Sequence, residues 1–167
     1  MEGVLHQASY QLMDRLITEY VPMRGAVRVL DVGSRDVNGT YRPLIEGRGW
    51  SYTGLDIVAG PNVDVVKAEY AWGVAREYEL VISGNCLEHV GNPFRWMGCV
   101  VAAVDHGGIV IVVTPSQIHE HREPVDCWRV MPDGMEVLME HFGLTMLSVG
   151  RLPEGCRDTW GVARRVG

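Results

Sequence analysis

Residues 26–40 read AVRVLDVGSRDVNGT, in which an apolar, β-branched run leads through Asp31 to a turn at Gly33. A glycine after a strand lets the backbone approach a ligand closely and adopt a positive φ angle. The second predicted strand ends in GLD at residues 54–56, where the Asp56 carboxylate could accept both hydroxyls of a ribose. Together these features predict a nucleoside site. The alternative is that the glycines are plain turn residues and the second acid is a solvated strand end.

The glycine spacing argues against a dinucleotide. From Gly33 the chain reads GSRDVNG, so the second and third glycines of the dinucleotide fingerprint are absent. A pyrophosphate needs close backbone approach over several residues and a helix N-terminus directed at it. A nucleotide-binding oxidoreductase is therefore disfavoured, and a nucleoside without phosphates fits the pattern better.

Short apolar runs alternate with amphipathic stretches along the chain. The pattern predicts strands at 26–32, 50–57, 63–66, 79–83, 108–114, 144–149 and 160–166, and helices at 5–20, 40–47, 93–104 and 132–142. Strands that alternate with helices form parallel sheets. Because residues 150–159 contain no helical pattern, the last strand is predicted to return antiparallel. The predicted fold class is α/β, a Rossmann-like, doubly wound, seven-stranded sheet that is mostly parallel.

The composition is typical of one globular domain. The chain has 167 residues, of which 47% are hydrophobic and 22% are charged, and its net charge is −6. Such a length buries about 70% of the unfolded surface without metal or disulfide staples. We predict a single domain, with residues 1–24 as a helical extension and 25–167 as the core. The excess of acid makes nucleic acid an unfavoured partner and offers no attraction to an anionic membrane.

The cysteines and the N-terminus bear on the compartment. The chain contains no CxxC pair, so neither a zinc knuckle nor a redox motif is predicted. The N-terminal sequence lacks the basic and apolar regions of a signal peptide, and the longest apolar run, 107–113, is too short to span a membrane. We expect a reduced, cytoplasmic protein. Its cysteines are Cys86, Cys99, Cys127 and Cys156.

Several segments carry a resemblance to a known family. They are VLDVGS (29–34), YTGLD (52–56), LVISGNCLEHVGNP (80–93) and HREPVDCWRVMPDGMEVLMEHFGL (121–144). In this order they resemble the class I S-adenosylmethionine-dependent methyltransferases, in particular the ubiquinone-methyltransferase-like (type 11) group. The resemblance covers about residues 25–166 and is specific for the cofactor rather than the acceptor. Where that family commonly has acid-x-Gly-x-Gly-x-Gly, this chain has Arg35 and Val37.

The resemblance implies cofactor-binding residues in the loops that follow the first four strands. Asp31 would contact the methionine ammonium group, and Gly33 would let the backbone face the carboxypropyl moiety. Asp56 would bind the ribose hydroxyls, Ile57 would pack on the adenine, and Arg35 could bind the cofactor carboxylate. The implied set is Asp31, Gly33, Ser34, Arg35, Asp56, Ile57, Glu69, Tyr70, Asn85 and Cys86. Within it, residues 69–70 would contact the adenine edge and residues 85–86 the methionine end.

Three histidines are candidate general bases, because imidazole titrates near neutrality. They are His89 in LEHV, and His119 and His121 in the segment after the fifth strand. For His89 the alternative is a structural role at the following helix. The run HEHRE (119–123) also offers metal ligands, but it lacks the i, i+4 histidine pair of helical metal sites. No metal is predicted.

Two side chains near this segment have simpler interpretations. Arg129 is predicted to pair internally, with Asp126 or Glu88, and the alternative is an anionic acceptor. Cys86 has no obvious base beside it and is expected to behave as a small buried hydrophobe.

The leading hypothesis is a methyltransferase that moves a methyl group from S-adenosylmethionine to an oxygen or nitrogen of a small-molecule or exposed acceptor. The alternative is a catalytically inactive subunit of the same fold that binds a partner. A small-molecule acceptor is expected, and a homodimer remains open. The acceptor pocket would be built from the N-terminal helix and the segments 115–130 and 150–159.

Overall fold

The predicted succession of seven strands and four helices is confirmed. A computed structural model describes residues 2–22, 25–155 and 157–167, so Cys156 lies outside the described residues. The elements are α1 (Glu2–Tyr20), β1 (Arg28–Val32), α2 (Arg42–Glu46), β2 (Ser51–Asp56), β3 (Val65–Val66), β4 (Tyr78–Gly84), a 3₁₀ turn (Leu87–His89), α3 (Pro93–Ala103), β5 (Val104–Pro115), α4 (Pro132–Glu140), β6 (Leu144–Arg151) and β7 (Asp158–Arg165).

All seven strands form one mixed sheet, in the order β3-β2-β1-β4-β5-β7-β6. The strands β1 to β5 pair in parallel, and β7 runs antiparallel to both β5 and β6. The predicted antiparallel last strand is therefore confirmed, although it inserts between β5 and β6. The chain order reverses between β1 and β4, and a ligand of such a sheet binds beyond the carboxyl ends of the strands at this point.

Alternate side chains of each central strand point to opposite faces of the sheet, where each face is covered by helices. On one face, Val29, Leu80 and Ile82 pack with apolar residues of α1 and α2. On the other face, Leu30 and Val81 pack with residues of α3 and α4. Burial on both faces explains why these strands are continuously apolar rather than alternating.

Local signals fix where the helices on the second face begin. The Asn92 side chain accepts a hydrogen bond from the Arg95 backbone amide at 3.0 Å, and Pro93 occupies the first turn of α3. The helix α4 begins with Pro132 and carries Asp133 in its first turn, where a negative charge suits the helix dipole. Among the described residues, no helix is long and apolar enough to cross a membrane.

Candidate functional site

A cavity of about 770 Å³ lies at the carboxyl ends of the parallel strands, next to α1. Its volume is in the range of small-molecule sites. Most of the sequence-predicted site residues lie in its wall. They are Asp31, Gly33, Ser34, Arg35, Asp56, Ile57, Glu69, Asn85, Cys86, His89, His119 and His121.

Gly33 occupies a position that only glycine fits. Its φ angle is +79°, and a Cβ added to it would lie 2.5 Å from both Cβ and Sγ of Cys86. The amides of Gly33 and Ser34 donate to the Leu55 carbonyl at 2.9 and 3.1 Å, which joins the turn after β1 to the end of β2. Desolvation raises the pKa of the Cys86 thiol well above its usual range, so the thiol stays neutral, and the side chain is half-buried against the apolar core. The turn therefore places bare backbone against the cavity.

Asp31 presents a buried carboxyl group at the tip of β1. It is 3% exposed, and the Tyr52 hydroxyl donates to its Oδ2 at 2.5 Å. The Asn62 amide donates in turn to the Tyr52 oxygen at 2.7 Å, which fixes the direction of that hydroxyl. Burial raises the pKa of Asp31 to about 7, although the Tyr52 hydrogen bond works in the opposite direction. A cationic group in the cavity would therefore favour the ionised form of this acid.

Asp56 joins the loops that follow β1 and β2. Its Oδ2 accepts a hydrogen bond from the Arg35 backbone amide at 3.1 Å, and its Oδ1 accepts one from the Val58 amide at 3.1 Å. The Arg35 guanidinium pairs with Glu123 at 3.2 Å, across to the segment after β5. In this structure Arg35 thus acts as a bridge between two loops of the cavity wall.

Glu69 and Tyr70, predicted as a pair, face different surroundings. The Tyr70 hydroxyl donates to Glu69 Oε1 at 2.8 Å and accepts from the Asn92 amide at 2.8 Å. The Arg95 guanidinium carbon lies 4.6 Å from the centroid of the Tyr70 ring. Glu69 lines the cavity but Tyr70 does not, because its hydroxyl is held between Glu69 and the Asn92 amide.

The sequence patterns miss several residues of the cavity wall. The Tyr41 ring packs against Gly84 so closely that a Cβ there would lie 2.2 Å from the Tyr41 hydroxyl oxygen. Among the described residues this buried hydroxyl has no hydrogen-bond partner. The Ser9 hydroxyl donates to Asp158 Oδ2 at 2.5 Å, and the Asn85 amide donates to Ser9 Oγ at 3.4 Å. These contacts join distant parts of the chain, so no local signal could have identified them.

Glu88, His89 and His121 meet at the wall of the cavity. The Glu88 side chain is fully buried, and its Oε2 accepts a hydrogen bond from Thr114 at 2.9 Å. The Nε2 atoms of His89 and His121 lie 3.7 and 3.9 Å from Glu88 Oε1, and the two rings are perpendicular. Burial raises the pKa of Glu88 to about 7. His119, by contrast, is exposed at the rim.

The segment that carries His119 and His121 is held in place from two sides. Arg129 donates to both oxygens of Asp126, at 2.6 and 2.7 Å, which confirms an internal pair with Asp126 rather than with Glu88. The Glu88 backbone carbonyl still contributes, because it accepts hydrogen bonds from the Cys127 and Trp128 amides at 2.7 and 3.2 Å. These bonds attach the loop to the 3₁₀ turn that carries Glu88 and His89.

Solved structures of methyltransferases and of a cyclase have the same fold as this chain. The methyltransferase in a complex with the Haloferax volcanii Trm112 methyltransferase activator has a TM-score of 0.77 and 12% identity, and the match covers 99% of this chain and 94% of that one. The [4+2]-cyclase SpnF has a TM-score of 0.76 and 14% identity, and the match covers 96% of this chain and 82% of that one. A third structure is phosphoethanolamine N-methyltransferase 2 of Haemonchus contortus in complex with S-adenosyl-L-methionine. Its TM-score is 0.69 and its identity is 12%, and the match covers 93% of this chain.

The relatives differ in length. The chain spans 53% of the phosphoethanolamine methyltransferase and 55% of a further structure, the carbon methyltransferase CurJ. A search of curated proteins finds no match in sequence.

Most of the chain matches a known protein family. Residues 4–149 match the family described as a methyltransferase domain. This range includes the turn at Gly33, the acids that end β1 and β2, and the Glu88–His89 segment. The solved phosphoethanolamine N-methyltransferase 2 is itself a complex with S-adenosyl-L-methionine. The chain belongs to the methyltransferase-domain family and has the fold of the class I S-adenosylmethionine-dependent methyltransferases.

Proposed function

We propose that this chain transfers the methyl group of S-adenosylmethionine to an oxygen or nitrogen atom of a small acceptor. One observation carries the proposal. The two acids that end neighbouring strands, Asp31 and Asp56, line a single cavity together with the turn at Gly33 and three histidines. The acidic balance of the chain favours a small acceptor over nucleic acid.

The residues present fit the polar groups of this cofactor. Asp31 is a buried carboxyl that gains a partner when an ammonium group approaches it. Each oxygen of Asp56 accepts one backbone amide and keeps a lone pair for a hydroxyl of the ribose. Ile57, which is 47% exposed, offers apolar surface for the adenine ring. When bound, the cofactor supplies an electrophilic methyl group on a sulfonium centre.

The rest of the cavity wall would position the acceptor. Tyr10 and Tyr41 stack with ring centroids 6.2 Å apart, and together they form an aromatic wall. His119 lies at the exposed rim, where it could pass a proton from the acceptor to solvent. Placing an acceptor atom beside the methyl group is the main contribution that a protein can make to a displacement of this kind.

A calorimetric titration with S-adenosylhomocysteine, the demethylated cofactor, tests the binding half of the proposal. We expect saturable binding, and Asp56→Asn should weaken it at least about tenfold because charged hydrogen bonds to the ribose are lost. Asp105→Asn is the matched control, because Asp105 lies at the amino end of β5, away from the cavity. Absence of heat at millimolar ligand, with no thermal protection, would overturn the proposal.

Methyl transfer is tested with a panel of hydroxyl- and amine-bearing acceptors, and mass spectrometry measures the S-adenosylhomocysteine that is formed. Binding without turnover across the panel would favour the second candidate, a cofactor-fold subunit that does not methylate. The likeness to a [4+2]-cyclase shows that this fold also supports functions other than methyl transfer.

A cytoplasmic location belongs to the same proposal, because the three described cysteines are free thiols.

A further inference from the structure

We propose that Glu88, His89 and His121 form a binding site for a divalent transition-metal ion in the wall of the cavity. Each of the three residues offers one ligand atom, and these atoms lie within 4.8 Å of one another. Two imidazole nitrogens and one carboxylate oxygen are a donor set that suits Zn²⁺, Fe²⁺, Co²⁺ or Ni²⁺ better than Mg²⁺ or Ca²⁺.

The spacing of the ligand atoms is close to that of a formed site. Metal–ligand bonds of about 2.1 Å at tetrahedral angles place two ligand atoms about 3.4 Å apart. Glu88 Oε1 lies 3.7 Å from His89 Nε2 and 3.9 Å from His121 Nε2. Both distances exceed the usual length of a hydrogen bond, so the histidines do not satisfy the carboxylate directly. A contraction of about half an ångström would bring these two distances to the spacing of a bound ion, and all three ligand atoms already lie within 4.8 Å of one another.

Both histidines are oriented by their other ring nitrogen. His89 Nδ1 lies 2.6 Å from the Val125 carbonyl oxygen, and His121 Nδ1 lies 3.2 Å from the His119 carbonyl oxygen. A carbonyl can only accept, so in each neutral ring Nδ1 carries the hydrogen and Nε2 keeps its lone pair. Metal-binding histidines are commonly held by such a backbone partner, which sets both the tautomer and the ring direction.

The strongest sign of a missing ligand is Glu88 itself. Its side chain is 0% exposed, and among the described residues Oε1 has no hydrogen-bond partner. The other oxygen already accepts from Thr114. A buried carboxylate oxygen without a partner is costly, and a metal ion at this place would satisfy it.

An ion held by three protein ligands would keep a coordination position directed at the cavity, since all three residues line it. That position could take an oxygen or nitrogen donor of the acceptor, lower its pKa and orient it. This part of the inference rests on the proposed function. The metal site itself does not, because its ligands come from the protein alone.

The test uses the full chain, stripped of metal by a chelator and titrated with Co²⁺ while its visible absorption is recorded, with Zn²⁺ then added as a competitor. We expect one equivalent of Co²⁺ to give intense bands typical of four or five ligands, and Zn²⁺ to displace it. Glu88→Gln and His121→Ala should each weaken binding at least about 100-fold, because loss of a direct ligand exceeds the effect of outer-shell changes. His121 is partly exposed, so its variant avoids the folding risk at Glu88.

His106→Ala is the matched control, because His106 is exposed on β5 and distant from the cluster, and it should bind Co²⁺ as the wild type does. Two results would overturn the inference. One is weak Co²⁺ absorption bands together with an affinity for Co²⁺ that His121→Ala leaves unchanged, and the other is absence of Co²⁺ binding at millimolar concentration. A parallel titration with S-adenosylhomocysteine separates the two proposals. Cofactor binding without metal binding refutes only the metal site, and metal binding without cofactor binding refutes only the proposed function.

Discussion

Replacing Gly33 with alanine tests how the turn after β1 is built. Gly33 combines a φ angle of +79° with a neighbour, Cys86, whose Cβ and Sγ would lie 2.5 Å from the new methyl group. The Cys86 Cβ is bonded directly to the backbone and cannot rotate away. The backbone at residue 33 or residue 86 must therefore move, and both residues line the cavity.

The cost has two parts. A left-handed backbone conformation costs about 1–2 kcal/mol for a residue with a Cβ. Forcing an extra methyl group into a packed site adds about 1–3 kcal/mol. We therefore expect Gly33→Ala to lower the free energy of unfolding by about 2–5 kcal/mol.

Urea unfolding at 25 °C, followed by tryptophan fluorescence, measures the loss as a shift of the midpoint at constant slope. Gly49→Ala is the control, because Gly49 has a φ angle of +74° and open space around its Cβ position. It should lose only the conformational part, about 1–2 kcal/mol. Equal losses at Gly33 and Gly49 would refute the steric argument.

A double-mutant cycle separates strain from contact. Cys86→Gly removes both atoms that the new methyl group would meet and leaves the Cys86 Cα at 3.8 Å, an ordinary contact distance. The combination of Gly33→Ala with Cys86→Gly should therefore cost less than the sum of the single changes, by about 1–3 kcal/mol. Additive losses would show that the two residues do not meet as described.

Three further changes probe other parts of the site. Because the pKa of Asp31 is raised from 3.8 to about 7, the native state keeps a proton that the unfolded chain releases. Wild-type stability should therefore fall relative to Asp31→Asn between pH 4 and 7, by up to about 1.4 kcal/mol per pH unit in thermal or urea unfolding; parallel pH profiles would contradict this. Arg129→Ala removes the paired donors to Asp126, so amides of segment 121–128 should exchange hydrogen at least about tenfold faster by mass spectrometry; unchanged exchange would show that the backbone bonds suffice. Tyr41→Phe deletes a buried hydroxyl without a partner and should be neutral or raise the melting temperature, whereas a loss above about 1 kcal/mol would reveal a missed hydrogen bond.

The fold could be predicted from the sequence because its signals are local. The periodicity of apolar residues and the turn residues between them predict every strand. The predicted and observed boundaries differ only by a few residues, as at β5, which begins at Val104 instead of residue 108. The Asp126–Arg129 pair was predictable for the same reason, since its members are three positions apart. The insertion of β7 between β5 and β6 was not, because strand order depends on long-range pairing.

The site was only partly predictable. Acids and glycines at strand ends are placed by the topology, so Asp31, Gly33 and Asp56 could be assigned to one edge of the sheet. The position of Tyr70 could not be predicted, because an irregular loop has no repeat that fixes the directions of adjacent side chains. The cluster of Glu88, His89 and His121 could not be predicted either, because its members come from separate segments. They meet only when the loop after β5 folds back on the 3₁₀ turn.

The late position of β7 has a consequence for synthesis on the ribosome. Until Asp158–Arg165 has emerged, the apolar strand β5 has one open edge, and β6 lacks the neighbour it pairs with in the sheet. An exposed apolar edge is a template for pairing with other chains. The same segment supplies Asp158, which joins Ser9 of α1 across 149 positions. A nascent chain that stalls before this point thus has an aggregation-prone sheet and an incomplete cavity, so protection from association and completion of the site occur in the same step.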